Sequence, residues 1–198
     1  VHSLKYNFYN KRNYSIRKMK MKHIMLDIET MGLKGNSAII SIGAVAFDPD
    51  NNCLGETFYV NVDLSSCINH GLVVDGGTIA WWITQSSDAK KSLFKDAKPL
   101  DEALSTFTDY IHQFKKVKVW GNGLGFDNVI VKNAYAALKR DRPWSDFQDR
   151  DMRTIVDITE SNYGKQTKEK IGIAHNALDD AINQANTVCK YWQLLKGK

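Results

Sequence analysis

HIMLDIETMGLKGNSAIISIGAVAF, residues 23–47, sets the architecture of this chain. It holds two apolar runs, His23–Ile28 and the longer, β-branched Ala38–Phe47, joined by a glycine-containing link. Both read as strands, the second a central one. Asp48-Pro-Asp-Asn-Asn52 follows as a turn, and Glu56–Val62 alternates as a third strand. Three strands in succession with short links predict an antiparallel meander.

Working outward, the period lengthens. Leu100, Ala103, Leu104, Phe107, Tyr110, Ile111 and Phe114 recur at helical spacing, predicting an amphipathic helix over Pro99–Phe114 with proline near its start. Val117–Trp120 reads as a strand ended by Gly121, and Asn128–Leu138 as a helix. A last helix spans about Ala177–Leu195, with Leu178, Ile182, Ala185, Val188, Trp192 and Leu195 on one stripe. Trp120 and Trp192 read as core. A meander followed by helix-linked strands gives an α/β fold, a mixed sheet with helices packed on it.

At 198 residues the chain fits one domain. Its 43% hydrophobic content can bury a core. No stretch approaches the ~20 apolar residues of a membrane span, and no apolar run near the start resembles a signal peptide. Cys53, Cys67 and Cys189 are odd in number and widely spaced, which argues against a disulfide framework or a zinc site. Three reduced thiols and a cytoplasmic location are the expectation.

The net charge of +5 is unevenly placed. Lys5, Lys11, Arg12, Arg17, Lys18, Lys20 and Lys22 lie in the first 22 residues, which contain no acid. The rest holds 20 basic and 22 acidic residues, so it is nearly neutral, and its basic residues must be patchy to grip phosphates. Residues 1–21 also lack hydrophobic period and read as a basic leader, disordered or a non-native extension of the frame with Met19 or Met21 as the start, the other reading being a basic arm that touches nucleic acid. Residues 22–198 are then the folded domain.

Three clusters carry chemistry. Asp27 and Glu29 are two apart on a strand, hence on one face and ~6–7 Å apart along it. Two such carboxylates repel unless a hard cation sits between them. In Trp120-Gly-Asn-Gly-Leu-Gly-Phe-Asp127 a strand ends, glycines turn the backbone, and Asp127 opens a helix, as an N-cap or as a functional carboxylate. In His175-Asn-Ala-Leu-Asp-Asp180, Asn176 can cap the last helix with Asp179 completing a capping box. That leaves His175 outside the helix and Asp180 in its first turn.

Asp27-x-Glu29-Thr30, Asn122-xxx-Phe126-Asp127 and His175-x-Ala177-xx-Asp180 resemble, in order and spacing, the three exonuclease motifs of the DEDD superfamily, histidine branch. Ser41-Ile-Gly-Ala-Val, Gly71–Asp75, Thr78-Ile-Ala-Trp-Trp82 and Arg150-Asp-Met-Arg-Thr154 are similar to phage and bacterial exodeoxyribonuclease VIII-like proteins and the related mycobacterial RNase AS type. The resemblance covers about residues 22–195. It implies a ribonuclease H-like fold with a five-stranded mixed sheet flanked by helices. It also implies 3′–5′ exonuclease activity on the 3′ end of single-stranded nucleic acid, DNA somewhat favoured over RNA.

Under that resemblance Asp27, Glu29, Asp127 and Asp180 bind two Mg²⁺ ions, replaceable by Mn²⁺, and His175 is the general base. Thr30, Asn122, Trp81 and Arg153 are candidate substrate contacts. The rival readings are a 3′–5′ exoribonuclease and an inactive nucleic-acid-binding module. Adjacent Trp81 and Trp82 point about 100° apart on a helix. Either one stacks a terminal base, or both pack under the sheet or at the interface of a homodimer. Arg150, Asp151 and Arg153 either contact phosphate or pair with one another.

Overall fold

The computed structural model describes residues 21–167 and 171–197, with the side chains of residues 88, 89 and 92 excepted. The leader 1–20 and residues 168–170, shortly before His175, lie outside the described residues. Strands β1 (His23–Thr30), β2 (Ile39–Asp48) and β3 (Cys53–Asn61) come first. Short helices α1 (Leu64–Asn69), α2 (Gly76–Thr84) and α3 (Ser87–Ser92) follow, then α4 (Leu100–His112), β4 (Lys118–Gly121) and α5 (Asp127–Ala137). A 3₁₀ turn (Asp146–Gln148), β5 (Asp149–Asp151), α6 (Met152–Tyr163) and α7 (Ala177–Leu195) complete the chain.

The five strands form one sheet in the order β3-β2-β1-β4-β5. β1 pairs antiparallel with β2 and β2 with β3, as the meander predicts, while β4 runs parallel to β1 and β5 parallel to β4. β1 therefore lies at the centre, hydrogen-bonded on both sides.

Alternation along β1 divides the molecule. Ile24, Leu26 and Ile28 enter a large apolar core with Ile40 and Ile42 of β2, Leu104 and Phe107 of α4 and Ile130 of α5. Met25 points the other way, into a smaller cluster with Val45, Phe47, Trp120 and, from α7, Ala181, Ala185 and Val188. Asp27 and Glu29 follow Met25 on this second face. Trp120 is buried, and Trp192 is half-buried at the margin of the smaller cluster.

Gly43 of β2 stands opposite Asp27 in the register. A Cβ built there would lie 2.2 Å from the Ala177 carbonyl carbon, so only glycine lets the start of α7 lie this close to the sheet. That contact brings the two ends of the site together.

Candidate active site

Asp27 and Glu29 sit near the end of β1, where the pairing with β2 shifts register between Glu29 and Thr30. Such an irregularity re-aims the strand end. Asp127 is the first residue of α5, directly behind the glycine loop. The cap position is Phe126, with no side-chain cap bond, so Asp127 is not an N-cap. Its carboxylate is 4% exposed and accepts a 3.3 Å bond from the Ile28 N–H between the two β1 acids.

Asn176 caps α7, accepting from the N–H groups of Leu178 and Asp179 at 3.1 and 3.2 Å. Asp179 does not close a capping box: its carboxylate accepts from the Ile173 N–H at 2.8 Å. The helix geometry turns Asp180 towards the β1 acids. The His175 N–H donates to Asp180 Oδ2 at 3.0 Å, and His175 takes a left-handed φ of 64°. Ligand atoms of Glu29, His175 and Asp180 all lie within 4.8 Å of one another. The ring of His175 is already turned in towards the acids, held edge-on by Trp81 at 4.9 Å between ring centroids.

The electrostatics match a cluster built to meet positive charge. Burial, then the charges of Asp127 and Glu29, drive the Asp27 carboxyl well above its ordinary range. Burial and the charges of Asp180 and Asp127 push Glu29 to about 8. Burial raises Asp127 to about 7, against the opposing pull of backbone N–H groups and Arg153. The donor set is oxygen-rich and hard, crowded beyond what a cation-free site needs, and it fits divalent cations that take oxygen ligands.

Gln184 lies one turn beyond Asp180 and belongs to none of the three motifs. Its Nε2 donates to Asp27 Oδ1 at 2.7 Å, while its own Oε1 is buried without a partner. An i, i+4 step from Asp180 was the available signal.

The substrate candidates divide. Trp82 is buried, and its indole N–H donates to Thr30 O at 3.0 Å, whereas Trp81 is 42% exposed. Thr30 spends its hydroxyl on Gly32 O at 2.7 Å. The Asn122 side chain is exposed, while its backbone N–H supports Asp127. A mainly apolar pocket of about 420 Å³ opens beside Glu29, walled by Leu33, Thr78, Trp81, Trp82 and Phe126. Arg153 lies against Gly123 in the glycine loop. The three cysteines form no disulfide among the described residues, and no helix described is long and apolar enough to cross a membrane.

A sheet with two antiparallel and two parallel pairings, carrying acids from β1, α5 and α7 and a histidine beside them, has the architecture of the ribonuclease H-like fold. The nuclease domain of 3′hExo, a DEDDh family member solved bound to rAMP, superposes with a TM-score of 0.60 at 14% identity, over 90% of this chain and 94% of that one. E. coli exonuclease I in complex with a dT13 oligonucleotide matches with a TM-score of 0.57 at 14% identity, over 88% of this chain and 40% of its own length.

Residues 22–192 match the family model of the Rv2179c-like 3′–5′ exoribonuclease domain, and the chain belongs to that family. An exodeoxyribonuclease of Enterobacteria phage T4 is 29% identical over 199 residues, 81% of this chain and 84% of its own. The chain is thus a 3′–5′ exonuclease acting on nucleic acid.

Proposed function

We propose that the chain hydrolyses the terminal phosphodiester of single-stranded nucleic acid by a two-metal-ion mechanism, with DNA somewhat favoured over RNA. One observation carries this reading: four carboxylates from three elements crowd together, burial raising Asp27, Glu29 and Asp127 and neighbouring charge adding to it at Asp27 and Glu29, and a histidine lies against them. Asp27, Glu29, Asp127 and Asp180 would hold two Mg²⁺ or Mn²⁺ ions. When bound, such ions lower the pKa of the attacking water and stabilise charge on the departing 3′ oxygen.

The protein residues do the rest. Gln184 fixes one lobe of the Asp27 carboxylate, leaving the other turned to the cluster. His175, oriented by its N–H bond to Asp180 and its contact with Trp81, takes the proton of the attacking water. The pocket beside Glu29 receives the terminal nucleoside, with Trp81 as a stacking wall. Thr30 shapes that pocket, and Asn122 helps through its backbone. The preference for DNA follows the T4 relative; the family model's own description favours the rival reading, an exoribonuclease.

Matched 5′-labelled single-stranded DNA and RNA oligonucleotides with Mg²⁺ test the proposal. A ladder of products shortening from the 3′ end, faster for DNA and stopped by a 3′ phosphorothioate, is expected. Faster loss of RNA would overturn the sugar preference, and cutting of a circular single strand would overturn end specificity.

A further inference from the structure

The segment Asp149–Arg153 lies outside the carboxylate cluster, yet three of its side chains reach the elements that deliver Asp127. Asp149 accepts from Asn128 Nδ2 at 2.7 Å, fixing the residue next to Asp127 on α5. The same carboxylate is held by Arg142 at 2.7 and 3.1 Å and by the indole N–H of Trp144 at 2.8 Å. Asp151 bridges two elements: Oδ2 accepts from the Leu124 N–H of the glycine loop at 3.0 Å, and Oδ1 accepts from the Arg153 N–H at 2.8 Å, capping α6. Loop and helix start are therefore tied together.

Arg153 completes the arrangement. Gly123 has φ +110°, and a Cβ built on it would come 2.9 Å from Arg153 Cζ and 3.0 and 3.2 Å from its two Nη atoms. The bare glycine is what lets the guanidinium pack against the loop. Arg142 is consumed by Asp146 and Asp149, and Arg150 by the carbonyls of Phe147 and Asp149. Arg153 is exposed, and among the described residues no acceptor or carboxylate pairs with its guanidinium. Its charge still reaches Asp127.

We propose that Arg153 binds a backbone phosphate of the substrate strand next to the scissile bond, with Asp149 and Asp151 as positioning residues that hold the loop and helix for it. This rests on the exonuclease reading. A planar fork of donors suits two non-bridging phosphate oxygens. It would also offset the repulsion that an acidic site imposes on an incoming phosphate strand.

Anisotropy of a fluorescein-labelled single-stranded oligodeoxynucleotide, blocked by 3′ phosphorothioates, tests this across a salt series in Mg²⁺. Arg153→Gln should bind about tenfold more weakly. The slope of log affinity against log salt should flatten by about 0.7, the loss of one phosphate contact on a single strand. Arg153→Lys should keep the slope and lose part of the affinity, since the charge stays and the fork goes. Gly123→Ala should weaken binding by displacing the guanidinium. Parent affinity and slope in Arg153→Gln overturn the proposal; if that variant does not fold, parent affinity in Arg153→Lys does. Absence of hydrolysis of an unblocked strand by the parent protein in Mg²⁺ or Mn²⁺ would instead sink the exonuclease reading, so the two failures are separable.

Discussion

Along β1, Ile24, Leu26 and Ile28 face a core built from four helices and the meander, while Met25, Asp27 and Glu29 face a much smaller apolar cluster that gives way to acids. One strand thus carries most of the stability on one side and the repulsion on the other. The difference explains how a protein can keep four carboxylates together: their cost is local, and the packing that offsets it lies across the sheet. The two faces should respond oppositely to mutation.

The largest effect belongs to the acid face. Asp27→Asn and Asp180→Asn should each lower turnover by about 10³-fold or more, the scale of losing one essential group. Without metal their melting temperatures should stay level or rise, because a repelling charge has gone. Calorimetric melts beside end-labelled assays check both halves. Near-parental turnover in Mg²⁺ from either variant would refute the metal-binding role.

Next comes His175. His175→Ala should cost about 10²–10⁴ in kcat, the range for a single general base. Metal affinity by isothermal calorimetry should barely move, since the carboxylates carry it. A large loss of metal binding would make His175 a ligand, as its closeness to Glu29 and Asp180 permits.

The opposite face should behave in reverse. Leu26 is fully buried, and Leu26→Ala should destabilise by about 2–5 kcal/mol. Turnover of the folded fraction at low temperature should be unchanged. If Leu26→Ala removed activity without lowering the unfolding midpoint, the division of labour across β1 would fail.

How much of this could be read from the chain varies by region, for physical reasons. β1, β2 and α7 announce themselves because their apolar periods are long, and α7 begins at the residue its asparagine cap predicts. The third strand starts three residues earlier than its alternation suggests, since Cys53 and Leu54 pair with β2 beyond a register shift and without alternating burial. β5 was not located: Asp-Arg-Asp has no apolar residue, and it is a strand only because β4 lies beside it. α6 buries little beyond Met152 and Thr159, which hides its period. The short helices α1 and α3 fall below the length at which a period shows.

The proximity of Asp27, Glu29, Asp127, His175 and Asp180 was legible through motif order, not through any one motif. Gln184 and the loop ties of Asp149 and Asp151 were not, because their roles depend on elements far apart in sequence meeting in space.

The smallest expected effect concerns pH, and it contrasts two ends of the second face. His23 is buried there, accepts the Trp120 indole N–H at 2.9 Å and is pushed by burial down to about 4. A histidine held neutral in the fold and charged when unfolded loses stability as pH falls from 6.5 towards 4, since the unfolded state binds the extra proton. Glu29 works the other way. Its carboxyl is raised to about 8 when folded against 4.5 when unfolded, so the folded state holds the proton, and stability falls as pH rises across that window. Asp127, at about 7, adds to this fall. Above pH 6.5 His23 is neutral in both states and drops out. Metal-free protein should therefore lose melting temperature between pH 6.5 and 8, by several degrees at the scale of about 2–4 °C per kcal/mol for a chain this size. Saturating Mg²⁺ should flatten the slope, because bound cations replace the protons. Asp180→Asn should flatten it partly without metal, by relieving the repulsion on Glu29. A metal-free melting temperature that rises from pH 6.5 to 8 would show that these carboxyls are not protonated in the fold. The charge crowding that motivates the two-metal reading would then be absent.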